Sequence, residues 1–329
     1  MAIFWNKTRK MKTQENRKLE QMDIAEGLFQ SEKVIPSRFF YDDKGDVLFT
    51  KIMDLPEYYL TRSETEIFEG FKAQILNNIT SNTSKKIELI ELGAGDGAKT
   101  RILLKYLLKE GVEFTYVPID ISRNALDLLL DNLSDLEGLD IQEQCGDYFK
   151  LLNDLKANEA QKFVLFLGSN LGNMDDVAAS GFLKELAASL KQDDQLLLGV
   201  DLTKDESIVL PAYNDKQGIT SAFNLNLLTR MNRELEADFD VNKFSHNPEY
   251  WKEGKAVSFL VSNEAQTVFI KSLNEVVTFE KGEKIRTEIS RKYNDDILLK
   301  ILNGTGFQIK DKFSDEKEYF TDYLLKLAV

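Results

Sequence analysis

The sequence predicts an α/β protein, a Rossmann-like, doubly wound sheet to which a second, α+β region is attached. Three observations predict it. Between residues 87 and 204, short and continuously apolar runs alternate with amphipathic helical stretches. That is the pattern of parallel strands covered on both faces. A glycine-rich turn, "GAGDGA", follows the first of those runs and opens a helix. After about residue 205 the alternation gives way to a long amphipathic helix and to paired strand patterns.

The elements follow in order. Residues 1–20 are polar and read as a solvated arm. Residues 21–75 read as mostly helical, interrupted by turn signals at "IPSRFFYDDKGD" and by the proline of "DLPEYYLTRSE". "IELIEL" is a strand and 98–110 has helical spacing; "FTYVPID" is a strand and "SRNALDLLLDNL" a helix. "KFVLFLGS" is a strand, "DDVAASGFLKELAASL" a helix and "DQLLLGVDL" a fourth strand. "SAFNLNLLTRMNRELEADF" is a long amphipathic helix. "AVSFLVSNEAQTVFI" and "EVVTFEKGEKIRTEISRKY" read as antiparallel strands, followed by a helix at "DDILLKILNGTGF" and a last strand at "EYFTDYLLKLA". The expected domains are 64–204 with 291–329, and 21–63 with 205–290.

Charge and composition narrow the function. A chain of 329 residues is long enough for one large domain or two ordinary ones. The formal net charge of −13 repels phosphate backbones and anionic membrane surfaces, so neither nucleic acid nor membrane is expected as a partner. No apolar run approaches the roughly 20 residues of a membrane helix, and the basic N-terminus leads into polar sequence rather than a signal core. The single cysteine, Cys145, leaves no internal disulfide framework and points to the cytoplasm. Nothing demands more than a monomer. The single histidine, His246, lies in "KFSHNPEYW", which reads as a loop, and a packing role outweighs a catalytic one. Histidine-rich metal sites are thereby removed and no metal is expected. Proton transfer falls to carboxylates, tyrosines, the substrate or water.

The glycine turn carries the ligand expectation. Gly93, Gly95 and Gly97 allow positive φ and close backbone approach. The turn also satisfies a relaxed dinucleotide pattern, so NAD must be weighed. Charge argues against it: Glu91 precedes the turn and Asp96 lies within it, a poor setting for a pyrophosphate. S-Adenosylmethionine carries an ammonium and a sulfonium and no phosphate, so it turns those carboxylates into assets. Asp120 ends the second strand, where it can accept from a ribose diol. Asp147 in "CGDYF" suits an adenine amino group, with Tyr148 packing near the ring. The order resembles that of class I S-adenosylmethionine-dependent methyltransferases.

Outside the turn the resemblance narrows. "FFYDDKGDVLFTKIMDLPEYYLTRSE", "FLGSNLGN", "AYNDKQGITSAFNLNLLTRMNRELEADFD" and "RTEIS" are similar to the L-histidine Nα-methyltransferases of ergothioneine biosynthesis. The similarity covers nearly the whole chain from about residue 30. It implies a class I methyltransferase domain plus a substrate-binding domain, and three methyl transfers to the α-amine of histidine, giving hercynine. Matched motif by motif, it implies that Tyr41 and Tyr58 line the substrate pocket. Gly168 and Asn173 face the amine and carboxylate, with Tyr41, Gly168 and Asn173 as the catalytic set. Tyr213 binds the carboxylate, and Glu288 with Ser290 reads the imidazole. On the cofactor side Gly93, Lys99, Asp120, Asp147 and Tyr148 carry over, and Gly95 joins them as part of the turn. Two positions depart from the family pattern: Asn170 stands where threonine is expected, and Phe259 where methionine is expected.

The residues themselves are compatible with those roles. Glu288 and Ser290 are two apart on an expected strand and share a face. A carboxylate beside a hydroxyl can serve both nitrogens of a neutral imidazole. Read alone, the same alternation describes an exposed strand, and the tyrosines describe amphipathic packing. Two other functions stay open: N-methylation of another amino acid or small amine, which Phe259 keeps alive, and a non-catalytic S-adenosylmethionine-binding module.

Overall fold

A computed structural model describes residues 23–24, 26–81, 86–148 and 159–328. The expected polar arm at 1–20 lies outside the described residues. In chain order the elements begin with β1 (Lys33–Val34), α1 (Asp43–Met53), α2 (Tyr59–Thr80), β2 (Ile87–Leu92), α3 (Thr100–Lys109), β3 (Phe114–Asp120) and α4 (Arg123–Leu133). Then come β4 (Asp140–Ile141), β5 (Gln144–Cys145), β6 (Gln161–Phe166), α5 (Asp176–Ser189), β7 (Gln195–Asp201), α6 (Glu206–Val209) and α7 (Ile219–Leu235). The chain continues through β8 (Phe244–Trp251), β9 (Lys255–Ser262), β10 (Gln266–Ile270), β11 (Glu275–Phe279), β12 (Lys284–Arg291), α8 (Asp295–Leu302), β13 (Phe307–Ser314) and β14 (Phe320–Leu327).

The larger sheet has the order β13-β14-β7-β6-β2-β3-β4, with β5 also paired to β3. Strands β2 to β7 run parallel, and the β13–β14 hairpin closes one edge antiparallel to β7. β6 and β7 are buried at every position, which is why their sequences read as unbroken apolar runs. Side-chain caps set the helix starts beside this sheet: Ser122 Oγ accepts from Ala125 N, Asp175 from Ala178 N and Asn294 from Ile297 N. One apolar core of this sheet joins Ile90, Val117, Phe166, Phe182, Leu198 and Tyr323.

A smaller sheet has the order β1-β12-β9-β8, and β10 pairs with β11 as a separate antiparallel hairpin. β1 joins β12 in parallel. The "KFSHNPEYW" segment is a correction to the sequence reading, because it forms the edge strand β8 rather than a loop. An edge tolerates Asn247 and Pro248, whose poor strand propensity suggested a loop. β13 was also not anticipated. Its Lys310, Asp311 and Lys312 are all exposed, as suits a protected edge.

The chain forms two compact units. One comprises residues up to Phe49, Tyr213–Glu249 and Val257–Ile289; the other comprises Thr50–Ala212, Tyr250–Ala256 and the chain from Ser290 onward. In the first, Phe40 stacks on Phe223 at 4.6 Å, and Phe239, Phe244 and Phe279 pack as a ring cluster. The second holds the larger sheet. No helix among the described residues is long and apolar enough to cross a membrane.

Candidate active site

The glycine turn leaves β2 and enters α3. Gly93, Gly95 and Gly97 all adopt positive φ, at 73°, 56° and 69°, where a side chain would be strained. A Cβ on Gly93 would also lie 2.8 Å from Asn170 Nδ2, and one on Gly97 would lie 2.9 Å from Leu129 Cγ. Asp120, at the end of β3, braces the turn: Gly95 N donates to Oδ2 and Ser122 N donates to Oδ1, both at 2.9 Å.

Glu91 behaves differently from the charge argument made on the sequence. It is 2% exposed and sits under the turn, not in it. Thr100 Oγ1 donates to it at 2.7 Å and Tyr116 OH at 2.5 Å. Burial nevertheless pushes its carboxyl up to about 7, against the pull of those hydrogen bonds. The acidic character of the turn rests on Asp96 and Asp120.

A buried charge cluster joins this turn to the loop after β6. Glu64, from α2, is fully buried and pairs with Lys99 at the start of α3. It also accepts from Gly168 N at 2.8 and 3.1 Å. Burial favours the neutral Lys99, but Glu64, Glu91 and Asp322 outweigh it and raise its pKa. Asp322, from β14, is fully buried with neither oxygen hydrogen-bonded. Burial, reinforced by the Glu64 charge, raises its pKa well above the usual carboxyl value, against the pull of Lys99. Gly199 makes room for both acids, since a Cβ there would meet Glu64 and Asp322 within 3 Å.

The loop itself is tightly set. Gly168 has φ 70° and Ser169, a non-glycine, has φ 59°. Ser169 Oγ accepts from Asp201 N at 3.0 Å, and Asn173 ends a 3-10 turn over Asn170–Asn173. Asp201 is the centre of a second buried cluster. Tyr59 OH donates to it at 2.8–2.9 Å, Lys204 Nζ at 2.5 Å, and Lys292 Nζ pairs with it at 2.7 Å. Lys292 also donates to Ser290 Oγ at 2.8 Å. Burial, with Lys292 nearby, lowers the Lys204 pKa despite Asp201.

The remaining motif residues lie as follows. Asp147 and Tyr148 follow β5, and the Tyr148 ring packs edge-on against Phe166 and Phe182. Tyr58 is half-buried at the N-terminus of α2. In the other unit, Tyr41 sets its ring against Phe49 and Phe223. Tyr213 is buried, and its carbonyl accepts from His246 Nε2 at 2.8 Å. That bond fixes the His246 tautomer and leaves Nδ1 buried without a partner. Burial lowers the His246 pKa, so it is a neutral packing residue. Glu288 accepts from Ser258 Oγ at 3.1 Å. Phe259 carries Lys284 Nζ 4.8 Å from its ring centroid.

A sequence model for the histidine-specific, S-adenosylmethionine-dependent methyltransferases matches residues 20–327. This chain belongs to that family. Histidine N-alpha-methyltransferase of Mycobacterium tuberculosis (strain CDC 1551 / Oshkosh) is 36% identical over 308 residues, covering 93% of each chain. The same-named protein of Mycolicibacterium smegmatis is 34% identical over 309 residues, covering 93% of this chain and 94% of its own. Ergothioneine biosynthesis protein 1 of Schizosaccharomyces pombe is 28% identical over 324 residues, which span 93% of this chain and 42% of that longer one.

For this histidine-specific methyltransferase, sequence reasoning missed Glu64, Asp201, Lys292 and Asp322. Asp322 did leave a signal, a carboxylate inside the apolar run "FTDYLL". Asp201 ends an apolar strand as Asp120 does. Glu64 and Lys292 left none, because a charge on a helix or at a strand end ordinarily faces water.

Proposed function

We propose that the protein transfers three methyl groups from S-adenosylmethionine to the α-nitrogen of L-histidine, giving hercynine. The observation that carries this is the family match, which runs through both compact units rather than the cofactor turn alone. The residues at the turn suit the cofactor. Glycine backbone at positive φ, a carboxylate at the end of β3 and a lysine anchored by Glu64 fit a ligand with a diol, an ammonium and a carboxylate. When bound, S-adenosylmethionine supplies an electrophilic methyl group.

In this reading the unit holding the larger sheet binds the cofactor. Asp120 accepts from ribose, Lys99 meets the cofactor carboxylate, and Asp147 with Tyr148 frames the adenine. Tyr213 and Asn173 hold the histidine carboxylate, and Tyr58 lines the pocket. Glu288 and Ser290 hold the ring. Tyr41 and the Gly168 loop steer the amine, which must shed its proton before it can attack. The only histidine is a neutral packing residue, so catalysis rests on positioning and water exclusion rather than a strong base. Tyrosine faces would tolerate the growing cation.

Titration calorimetry tests the reading. S-Adenosylmethionine should bind in the presence of chelator, L-histidine should bind the S-adenosylhomocysteine complex, and NAD should not bind. Binding of NAD alone overturns it.

A further inference from the structure

The chain after β6 turns through two successive residues at positive φ, Gly168 at 70° and Ser169 at 59°. Asn170 N donates back to Leu167 O at 3.3 Å, closing a four-residue turn. Turns with positive φ at both central positions favour glycine or asparagine there, because most side chains are strained. Gly168 meets that demand and Ser169 does not. Ser169 is also buried, at 3% exposure. A residue held in a strained conformation persists only where its surroundings over-determine it, and such residues cluster at functional sites.

Here the surroundings fix the loop at three points, all in the unit that holds the larger sheet. Gly168 N donates to the buried Glu64. Gly172 backs onto the end of β12 so closely that a Cβ would lie 2.8 Å from Arg291 O. Between these two points, Ser169 Oγ accepts from Asp201 N at 3.0 Å. Asp201 is a firm support. Tyr59, Lys204 and Lys292 hold its carboxylate, and Tyr293 N donates to its carbonyl at 2.8 Å. Glycine would suit the backbone at position 169 better than serine, but it could not make the bond to Asp201.

We infer that Ser169 is a positioning residue for methyl transfer. Its hydroxyl ties the loop bearing Gly168 and Asn173 to the end of β7, and so sets where the substrate amine is presented. This rests on the histidine reading above. It adds a residue that acts through the loop rather than by touching the substrate. Holding the reacting groups in line supplies much of the barrier reduction, so a small displacement of the loop costs rate. Cofactor affinity is a separate matter, because Asp120 braces the glycine turn from β3.

The test uses Ser169→Gly and Ser169→Ala in the full chain. Both remove the hydroxyl, but only glycine relieves the backbone. Stability and turnover should therefore part company. The glycine variant should melt about 2 °C above the alanine variant. Both should lose about tenfold in kcat for the first methyl transfer to L-histidine. The dissociation constant of S-adenosylhomocysteine, measured by calorimetry, should stay within about twofold of wild type in both. Glycine-variant turnover within about twofold of wild type overturns the inference. So does a turnover loss that follows melting temperature, or one matched by an equal loss of S-adenosylhomocysteine affinity. If the alanine variant does not fold, the glycine variant decides alone through kcat against that affinity. Failure of the wild-type protein to methylate histidine sinks the functional reading itself. Normal histidine methylation with no effect at Ser169 sinks only this inference.

Discussion

Replacing Glu64 with glutamine tests whether Asp322 is a reserve counterion for Lys99. Glu64 is fully buried, pairs with Lys99 and accepts the Gly168 amide. Breaking a buried ion pair costs about 3–5 kcal/mol, because the remaining charge is stranded. Two features reduce that loss here. Lys99 keeps 21% of its side-chain exposure, so water screens part of its charge. The Glu64 charge is also one of the causes that raise the Asp322 pKa. Once Glu64 is glutamine, Asp322 can ionise and take over as the partner of Lys99. Glu64→Gln alone should therefore cost only about 1–2 kcal/mol at pH 7. Asp322→Asn alone removes a carboxyl whose protonated form burial favours, and should cost under about 1 kcal/mol. Together they leave Lys99 with no carboxylate from either residue, and the double variant should exceed the sum of the singles by about 2 kcal/mol. Urea unfolding followed by circular dichroism measures all four proteins. Additivity within about 0.5 kcal/mol would refute the reserve-counterion argument.

Three further outcomes are expected. The Glu91 carboxyl is raised from 4.5 to about 7 in the fold, so the folded state keeps a proton that the unfolded chain releases. Its contribution is full below about 4.5 and is lost as pH rises toward 7, by roughly 3 kcal/mol; Glu91→Gln should flatten that part of the stability profile, and an unchanged slope removes Glu91 as its source. Asp120→Ala should weaken S-adenosylmethionine by roughly 1.5–3 kcal/mol, the worth of hydrogen bonds to a charged group, while calorimetry with unaltered affinity would take Asp120 out of the site. Glu288→Ala should lower histidine turnover at least about tenfold, or some 1.4 kcal/mol, with cofactor affinity unchanged; an equal loss on every amino acid would mean that Glu288 does not read the ring.

The parallel sheet was legible because strands buried on both faces leave unbroken apolar runs, as "IELIEL" and "DQLLLGVDL" do. The turn was legible because its three glycines all stand at positive φ. β8 was not, because Asn247 and Pro248 suppress the strand signal and only an edge position tolerates them. β13 was hidden by its charges, which face outward along the other sheet's edge. The two buried charge clusters were illegible for a different reason. Glu64 pairs with Lys99 across 35 positions and Lys292 with Asp201 across 91, and no local pattern marks such partners. Glu91 shows the converse error. Its position beside the turn suggested a displayed charge, but Thr100 and Tyr116 hold it underneath.

The most direct test of the central claim is a competition. The protein is incubated with S-adenosylmethionine and an equimolar mixture of the twenty amino acids, and fragmentation mass spectrometry follows every methylated product. The account predicts that L-histidine gains methyl groups first and accumulates as a species with three on the α-nitrogen and an unmodified ring. Preferential methylation of another amino acid, or methyl groups on the imidazole, would contradict it.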